Sequence, residues 1–168
     1  MSSAAEEQPA EPASAPPPGV HNAHIAGRVV SASAVVAATP EQVFALLADP
    51  HRHQELDGSD TVRGVVSGPR RLALGDRFGM RMRVGLPYQT KNTVVEFEPE
   101  RRIAWHHFAK AIWRYELAPV EGGTLVTESF DYGGSPFARG LELVGYPARN
   151  ATSIAATLRR LQDLFPAP

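Results

Sequence analysis

Small and β-branched residues dominate Arg28–Ala38, a run that predicts a strand. Thr39-Pro40-Glu41-Gln42 then has the chemistry of a helix start: a capping hydroxyl, proline in the first turn and a carboxylate near the unpaired N–H groups. Val43, Phe44, Leu46 and Leu47 give that helix one apolar face, and Asp49-Pro50 ends it. His51 to Leu56 predicts a second short helix, stopped by Asp57-Gly58. Six strand-like runs follow: Thr61–Ser67, Arg77–Val84, Thr90–Glu98, Arg102–Ala109, Ala111–Ala118 and Thr124–Tyr132. The breakers between them include Gly68-Pro69, Gly75-Asp76, Gly85-Leu86-Pro87, Pro99-Glu100 and Gly122-Gly123. Links this short make successive strands antiparallel, because parallel neighbours need long crossovers.

Alternation assigns faces. Phe78, Met80, Met82 and Val84 share one side of their strand, while Arg77, Arg81 and Arg83 share the other. Thr93, Val95 and Phe97 oppose Asn92, Val94 and Glu96, and Trp113, Tyr115 and Leu117 oppose Ile112, Arg114 and Glu116. After Gly133-Gly134-Ser135-Pro136 the period changes to about 3.6. Leu141, Val144, Ile154, Leu158, Leu161 and Phe165 fit one stripe of a long C-terminal helix, with a kink expected at Pro147. A curved sheet with one apolar face and a long amphipathic helix must pack together, which makes the fold class α+β.

Several local strings carry a resemblance: Thr-Pro-Glu-Gln-Val-Phe-Ala-Leu-Leu-Ala-Asp-Pro at 39–50, Leu-Asp-Gly-Ser at 56–59, Arg-Ile-Ala-Trp at 102–105, and the stretch from Trp113 to Glu128. With this element order, the chain resembles the START-like (SRPBCC) superfamily of polyketide cyclase/dehydrase-like proteins, Bet v 1 relatives and lipid-transfer domains. The resemblance covers residues 26–165. It implies a helix-grip fold: a seven-stranded antiparallel curved sheet around a long C-terminal helix, two short helices between strands one and two, and an internal apolar cavity. The character is nearest to small actinobacterial proteins, and 15 Arg against 2 Lys fits a GC-rich genome. The scaffold hosts carriers, receptors and enzymes alike, so function must come from the site.

Inward parity nominates the cavity wall. From the sheet come Phe78, Met80, Met82, Val95, Phe97 and Trp105. Trp113, Tyr115, Val126 and Phe130 join them, with Leu143, Tyr146 and Asn150 from the helix. Aromatics and flexible thioethers suit a pocket that adapts to a bulky apolar ligand, although the same residues serve equally as plain core. Glu128 shares the face of Val126 and Phe130, so its carboxyl either points into the cavity, with desolvation raising its pKa, or pairs with an arginine at the rim. His106-His107 is a doublet on a strand, so the rings face opposite ways; His107 is the inward one. His53 and Asp57, one helical turn apart, either meet at the cavity mouth or leave Asp57 to cap its turn. Glu128, His53, Asp57 and Tyr115 are therefore the acid–base candidates. In the resembling fold, the segments holding Leu86 and Tyr88 and holding Gly133 and Gly134 flank the entrance, as a gate or as ordinary turns.

Composition narrows the reading further. Net charge is −1 and no basic stretch is interleaved with aromatics, which disfavours a nucleic-acid partner. Zero cysteines exclude a disulfide framework, a thiolate metal site and a cysteine nucleophile. His51, His53, Glu55 and Asp57 crowd one segment, but His-x-His side chains diverge on a helix, so no metal site is assigned. No phosphate-cradling glycine loop and no Gly-x-Ser-x-Gly elbow occurs, and no cofactor is expected. Residues 1–25, rich in Pro, Ala and Glu, read as a disordered tail. No run is long and apolar enough to span a bilayer and no signal peptide is evident, so a cytoplasmic location is expected, with transient membrane contact left open. Three functions remain: a binding or carrier module for a hydrophobic small molecule such as a lipid, polyketide or polycyclic metabolite; a polyketide cyclase or dehydratase using cavity acid–base groups; or an interaction protein whose cavity is filled by its own side chains. Oligomeric state is not legible.

Overall fold

A computed structural model describes residues 23–167. Among these residues the sheet has eight antiparallel strands in the order β1-β2-β8-β7-β6-β5-β4-β3. They are β1 (His24–Ala26), β2 (Val29–Val36), β3 (Val62–Ser67), β4 (Arg77–Val84), β5 (Leu86–Glu98), β6 (Arg102–His106), β7 (Ile112–Val120) and β8 (Gly123–Asp131). The helices are α1 (Pro40–Leu47), α2 (His53–Leu56), α3 (Ala138–Leu143) and α4 (Tyr146–Leu164), with single 3-10 turns at Pro50–Arg52 and Phe108–Lys110. The α+β architecture is the expected one, with eight strands rather than seven. The extra strand, β1, pairs Ile25 with Val30, so pairing begins inside the segment read as tail. The rest of that tail, residues 1–22, lies outside the described residues.

The helix start at Thr39 forms a full capping box. Gln42 N donates to Thr39 Oγ1 at 3.3 Å, and Thr39 N donates to Gln42 Oε1 at 3.0 Å. Thr39→Ala is expected to cost about 1 kcal/mol of stability, measured by urea unfolding. β2 alternates strictly, burying Val30, Ala32, Ala34 and Val36. The small side chains at 32 and 34 leave room for α4, which crosses β2 and buries Ile154, Leu158 and Leu161.

Three boundaries differ from the sequence reading. The expected kinked C-terminal helix is two helices, because Gly145 sits in the left-handed region (φ 67°) and ends α3. Pro147 is no kink; it occupies the first turn of α4, where a missing N–H costs nothing. β5 starts at Leu86 rather than Thr90, with Leu86 opposite Val84 and Tyr88 opposite Met82, so Leu86-Pro87-Tyr88 is paired strand and the chain reverses at Gly85. β6 stops at His106 instead of running to Ala109, because Ala109 and Lys110 adopt positive φ and reverse the chain into β7.

β5 also carries a bulge. Val94 pairs with Trp105 but Glu96 pairs with Ala104, leaving Val95 as the extra residue. One extra residue inverts parity along the rest of the strand. Before it, Thr90, Asn92 and Val94 face inward; after it, Phe97 turns inward and meets Phe44 of α1 edge-on at 5.3 Å.

Candidate functional site

Between the concave sheet face, α2 with its following loop, and α4 lies a cavity of about 330 Å³. Its floor is aromatic. Trp105 stacks on the His53 ring (5.2 Å, 21°), meets Phe78 edge-on at 5.5 Å and lies 5.8 Å from Tyr115. Phe78, Met80 and Met82 line the β4 side, opposite Asn92, Thr90 and Tyr88 on β5, and Val84 lines it further along the strand. The rim is formed by partly or fully exposed residues: Val84 and Tyr88 of the β4–β5 hairpin, Ser59 and Thr61 of the loop, and Tyr146, Arg149 and Ser153 of α4. The Arg149 guanidinium lies over the Tyr146 ring at 5.6 Å.

Glu128 is the central polar group. The β8 register sets it between Ala32 of β2 and Tyr115 of β7, and it is 0% exposed. Its Oε1 accepts from the Trp113 indole Nε1 at 2.8 Å and from the Tyr115 hydroxyl at 2.9 Å. Burial pushes its pKa up to about 8; the two donors work against that rise, and the nearby Asp57 charge adds to it. At neutral pH Glu128 is therefore mostly a neutral carboxyl. Burial also drives the Tyr115 phenol well above its ordinary range, assisted by Glu128, so Tyr115 remains a donor.

The two cavity histidines are neutral as well. His53 Nε2 lies 2.8 Å from the Leu47 carbonyl, which only accepts, so the ring proton is on Nε2; burial lowers its pKa. His107 Nδ1 contacts Asn92 Oδ1 at 3.0 Å, and burial lowers its pKa to about 4. Asp57 does not meet His53. Its Oδ1 accepts from Ser59 N and Ser59 Oγ, and its Oδ2 from Thr61 N at 2.9 Å and Val62 N at 2.8 Å, so it organises the turn. Asp57 still lines the cavity by position.

Among the described residues, three buried side-chain polar atoms have no hydrogen-bond partner: Thr90 Oγ1, Glu128 Oε2 and Asn150 Nδ2. All three residues line this cavity. The Asn150 amide lies near enough to the Tyr146 phenol to oppose slightly the burial that pushes that phenol up to about 12. The Asn150 Nδ2 atom itself is buried with no partner within hydrogen-bond geometry.

The structure brings most of the nominated residues together at one wall. Phe78, Met80, Met82, Tyr88 and Trp105 belong to it, as do His107, Trp113, Tyr115, Glu128, Tyr146 and Asn150. Others fall outside. Leu143 is 88% exposed on the solvent side of α3, because the break at Gly145 removes the expected helical phase. Leu86 is 80% exposed at the hairpin tip. Phe130 is packed behind the wall between Trp113 (5.2 Å) and Tyr146 (5.7 Å), and Phe97 is taken up by Phe44. Val126 is core beneath the sheet, and Val95 is the bulge residue. Parity counted back from Phe97 concealed Thr90 and Asn92, which the bulge turns inward. The adjacent pair Val94-Val95, which breaks the alternation, was the signal available in the sequence. The Gly133-Gly134 segment is a hydrogen-bonded turn, with Gly133 N on Asp131 Oδ1 at 2.8 Å and Ser135 N on Tyr132 O at 3.0 Å. No group of three or more His, Cys, Asp or Glu among the described residues is arranged to hold a metal ion. No helix among them is long and apolar enough to cross a membrane.

Comparison with known proteins decides the family. Residues 28–166 match the family described as polyketide cyclase / dehydrase and lipid transport. The chain belongs to this family. Within 142 aligned residues it is 40% identical to the uncharacterized protein Rv0088 of Mycobacterium tuberculosis, covering 81% of this chain and 63% of that protein. The chain thus spans under two thirds of that relative's length. Among solved structures, a Rhodobacter sphaeroides protein superposes with a TM-score of 0.67 at 20% identity, covering 86% of this chain and 96% of that one. The Polyketide_cyc-like protein Cgl2372 of Corynebacterium glutamicum gives a TM-score of 0.55 at 26% identity, covering 81% and 90%. The family fold is one for binding hydrophobic ligands, and the cavity occupies the space between sheet and long helix.

Proposed function

We propose that this protein binds or carries a hydrophobic small molecule, a lipid, polyketide or polycyclic metabolite, in the cavity beneath α4, in the cytoplasm. The observation that carries this reading is the cavity: about 330 Å³ of open space, with an aromatic and thioether floor and three polar atoms left without protein partners. That volume lies at the small end of ligand sites, which span roughly 300–1,000 Å³. Open space of this size weighs against the reading of a self-filled cavity, since native cores leave few voids larger than a water molecule. Native mass spectrometry should show a co-purifying or added hydrophobe, tested with palmitic acid and 1,8-dihydroxyanthraquinone. Binding should shield Trp105 and Trp113 from acrylamide quenching, because both line the wall. No adduct with either compound and unchanged quenching would sink the reading.

One observation favours the enzymatic alternative, a cyclase or dehydratase. Glu128 holds a transferable proton with Oε2 unpartnered, and general acids of raised pKa suit proton transfer near neutral pH. In that case Glu128→Gln would keep ligand binding and lose turnover.

A further inference from the structure

We propose that the cavity selects hydrophobes bearing a carbonyl oxygen, which the Glu128 carboxyl receives as a hydrogen-bond donor through Oε2, with the Asn150 amide as a second donor from the helix side. The inference rests on the ligand-binding reading above and adds the chemical class of the ligand.

The two oxygens of the Glu128 carboxyl are not equivalent. Indole N–H can only donate, and here the Tyr115 hydroxyl donates too, so both spend their hydrogens on Glu128 Oε1. The proton of the neutral acid is therefore left to Oε2, which has no partner and belongs to a fully buried side chain. Asn150 Nδ2 is likewise a donor without a partner, on a residue only 7% exposed. Two buried donors facing one cavity call for acceptors. A carbonyl oxygen accepts and offers no competing hydrogen, whereas a hydrocarbon of the same shape would leave both donors unmade. A carboxylate ligand would place a second negative charge near Asp57 and, among the described residues lining the cavity, would have only Arg149, out at the rim, as a cation.

The groups facing Glu128 are Trp113 and Tyr115 from β7, Asp57 from the loop, His53 from α2, His107 after β6, Tyr88 from β5, and Tyr146 and Arg149 from α4. His53 and His107 have lowered pKa values and the three phenols raised ones. Between about pH 6.5 and 9 the group in this set that changes charge is thus Glu128. Ionisation turns Oε2 from donor to acceptor, so carbonyl preference should vanish as pH passes about 8.

The test compares 9-fluorenone with fluorene, which differ by one carbonyl on the same ring system, using equilibrium dialysis against wild type, Glu128→Gln and Glu128→Leu. Wild type at pH 6.5 should bind fluorenone at least about tenfold tighter than fluorene, the value of one satisfied buried donor. Glu128→Gln keeps a neutral donor and should keep that preference at every pH, while the wild-type preference should collapse by about pH 9.5. Glu128→Leu, which keeps only the Asn150 donor, should lose most of the preference, with its fold checked by circular dichroism. The infrared carbonyl stretch of bound fluorenone should move to lower wavenumber in wild type and in the Gln variant. Equal wild-type affinities, or a preference that Glu128→Leu retains in full, would overturn the carbonyl assignment to Glu128 and leave ligand binding standing. Failure of both compounds, together with palmitic acid and the anthraquinone, would instead bring down the binding reading and this inference with it.

Discussion

Alanine at Gly58 should cost roughly 3 kcal/mol or more of folding stability, the upper range for overpacked sites. A Cβ built on Gly58 would lie 2.2 Å from Thr157 N and 2.3 Å from Ser153 O, both backbone atoms of α4. Neither atom can swing aside as a side chain would. The same turn is tied to α4 by Gly58 N donating to Thr157 Oγ1 at 3.0 Å, and by Arg160 reaching the Asp57 carbonyl and the Asp60 carboxylate. Pushing the turn outward breaks those bonds and opens the cavity along the edge where Ser59 and Thr61 form its rim. The control is Gly140→Ala in α3, where a Cβ meets nothing within 4 Å and alanine is the better helix former by about 1 kcal/mol. Guanidinium unfolding should therefore move the two variants in opposite directions. A Gly58→Ala loss below about 1 kcal/mol would show that turn and helix separate easily.

The second large effect is a pH dependence that Glu128→Gln should abolish. The folded pKa of Glu128, about 8, stands above the ordinary 4.5. Below about pH 4.5 the group is protonated in both folded and unfolded chains, and its contribution to stability is fully present. As pH climbs from there through 8, the unfolded chain releases the proton while the folded chain holds it, and stability drains away. Above 8 both forms are ionised and the loss levels off. Its ceiling is on the order of 5 kcal/mol, set by the gap between those two values. Glutamine keeps an Oε1 for Trp113 and Tyr115 and never ionises. The stability difference between variant and wild type should thus grow from near zero at about pH 4.5 to several kcal/mol at about pH 8.5. His53 and His107 titrate lower and are common to both proteins, so they cancel in the difference. Parallel stability curves for the two proteins would mean that Glu128 is not held neutral.

Much of this fold was legible because local signals and global packing agree. The Thr39 cap, the alternation of Phe78, Met80 and Met82, and the stripe of Ile154, Leu158 and Leu161 each state a local preference that the tertiary structure uses unchanged. The inward parity of Glu128 and Trp113 was legible for the same reason, as was the outward direction of His106. What escaped were departures from ideal periods. A strand period of 2 is blind to one inserted residue, so it places Val95 and Phe97 together on one face and Asn92 and Val94 on the other. A helical period is likewise blind to a left-handed residue, so Leu143 was carried round to the wrong side by counting through Gly145. Phe130 escaped for a different reason: its parity is right, but Trp113 and Tyr146 lie close against it on the cavity side. The pairing of Glu128 with both Trp113 and Tyr115 depends on side-chain reach across two strands, which no spacing along the chain encodes.

The inserted residue in β5 has a consequence for how this protein can change over evolutionary time. On one side of Val95 the strand contributes Thr90 and Asn92 to the cavity; on the other, Phe97 locks onto Phe44 of α1. Selection for a new ligand can act on the first half while the second half continues to hold the scaffold. Substitutions near Thr90 should accordingly be tolerated in many combinations, whereas Phe97 and Phe44 should vary only as a pair. A single extra peptide unit thereby divides one continuous strand into a part free to diversify and a part bound to conserve.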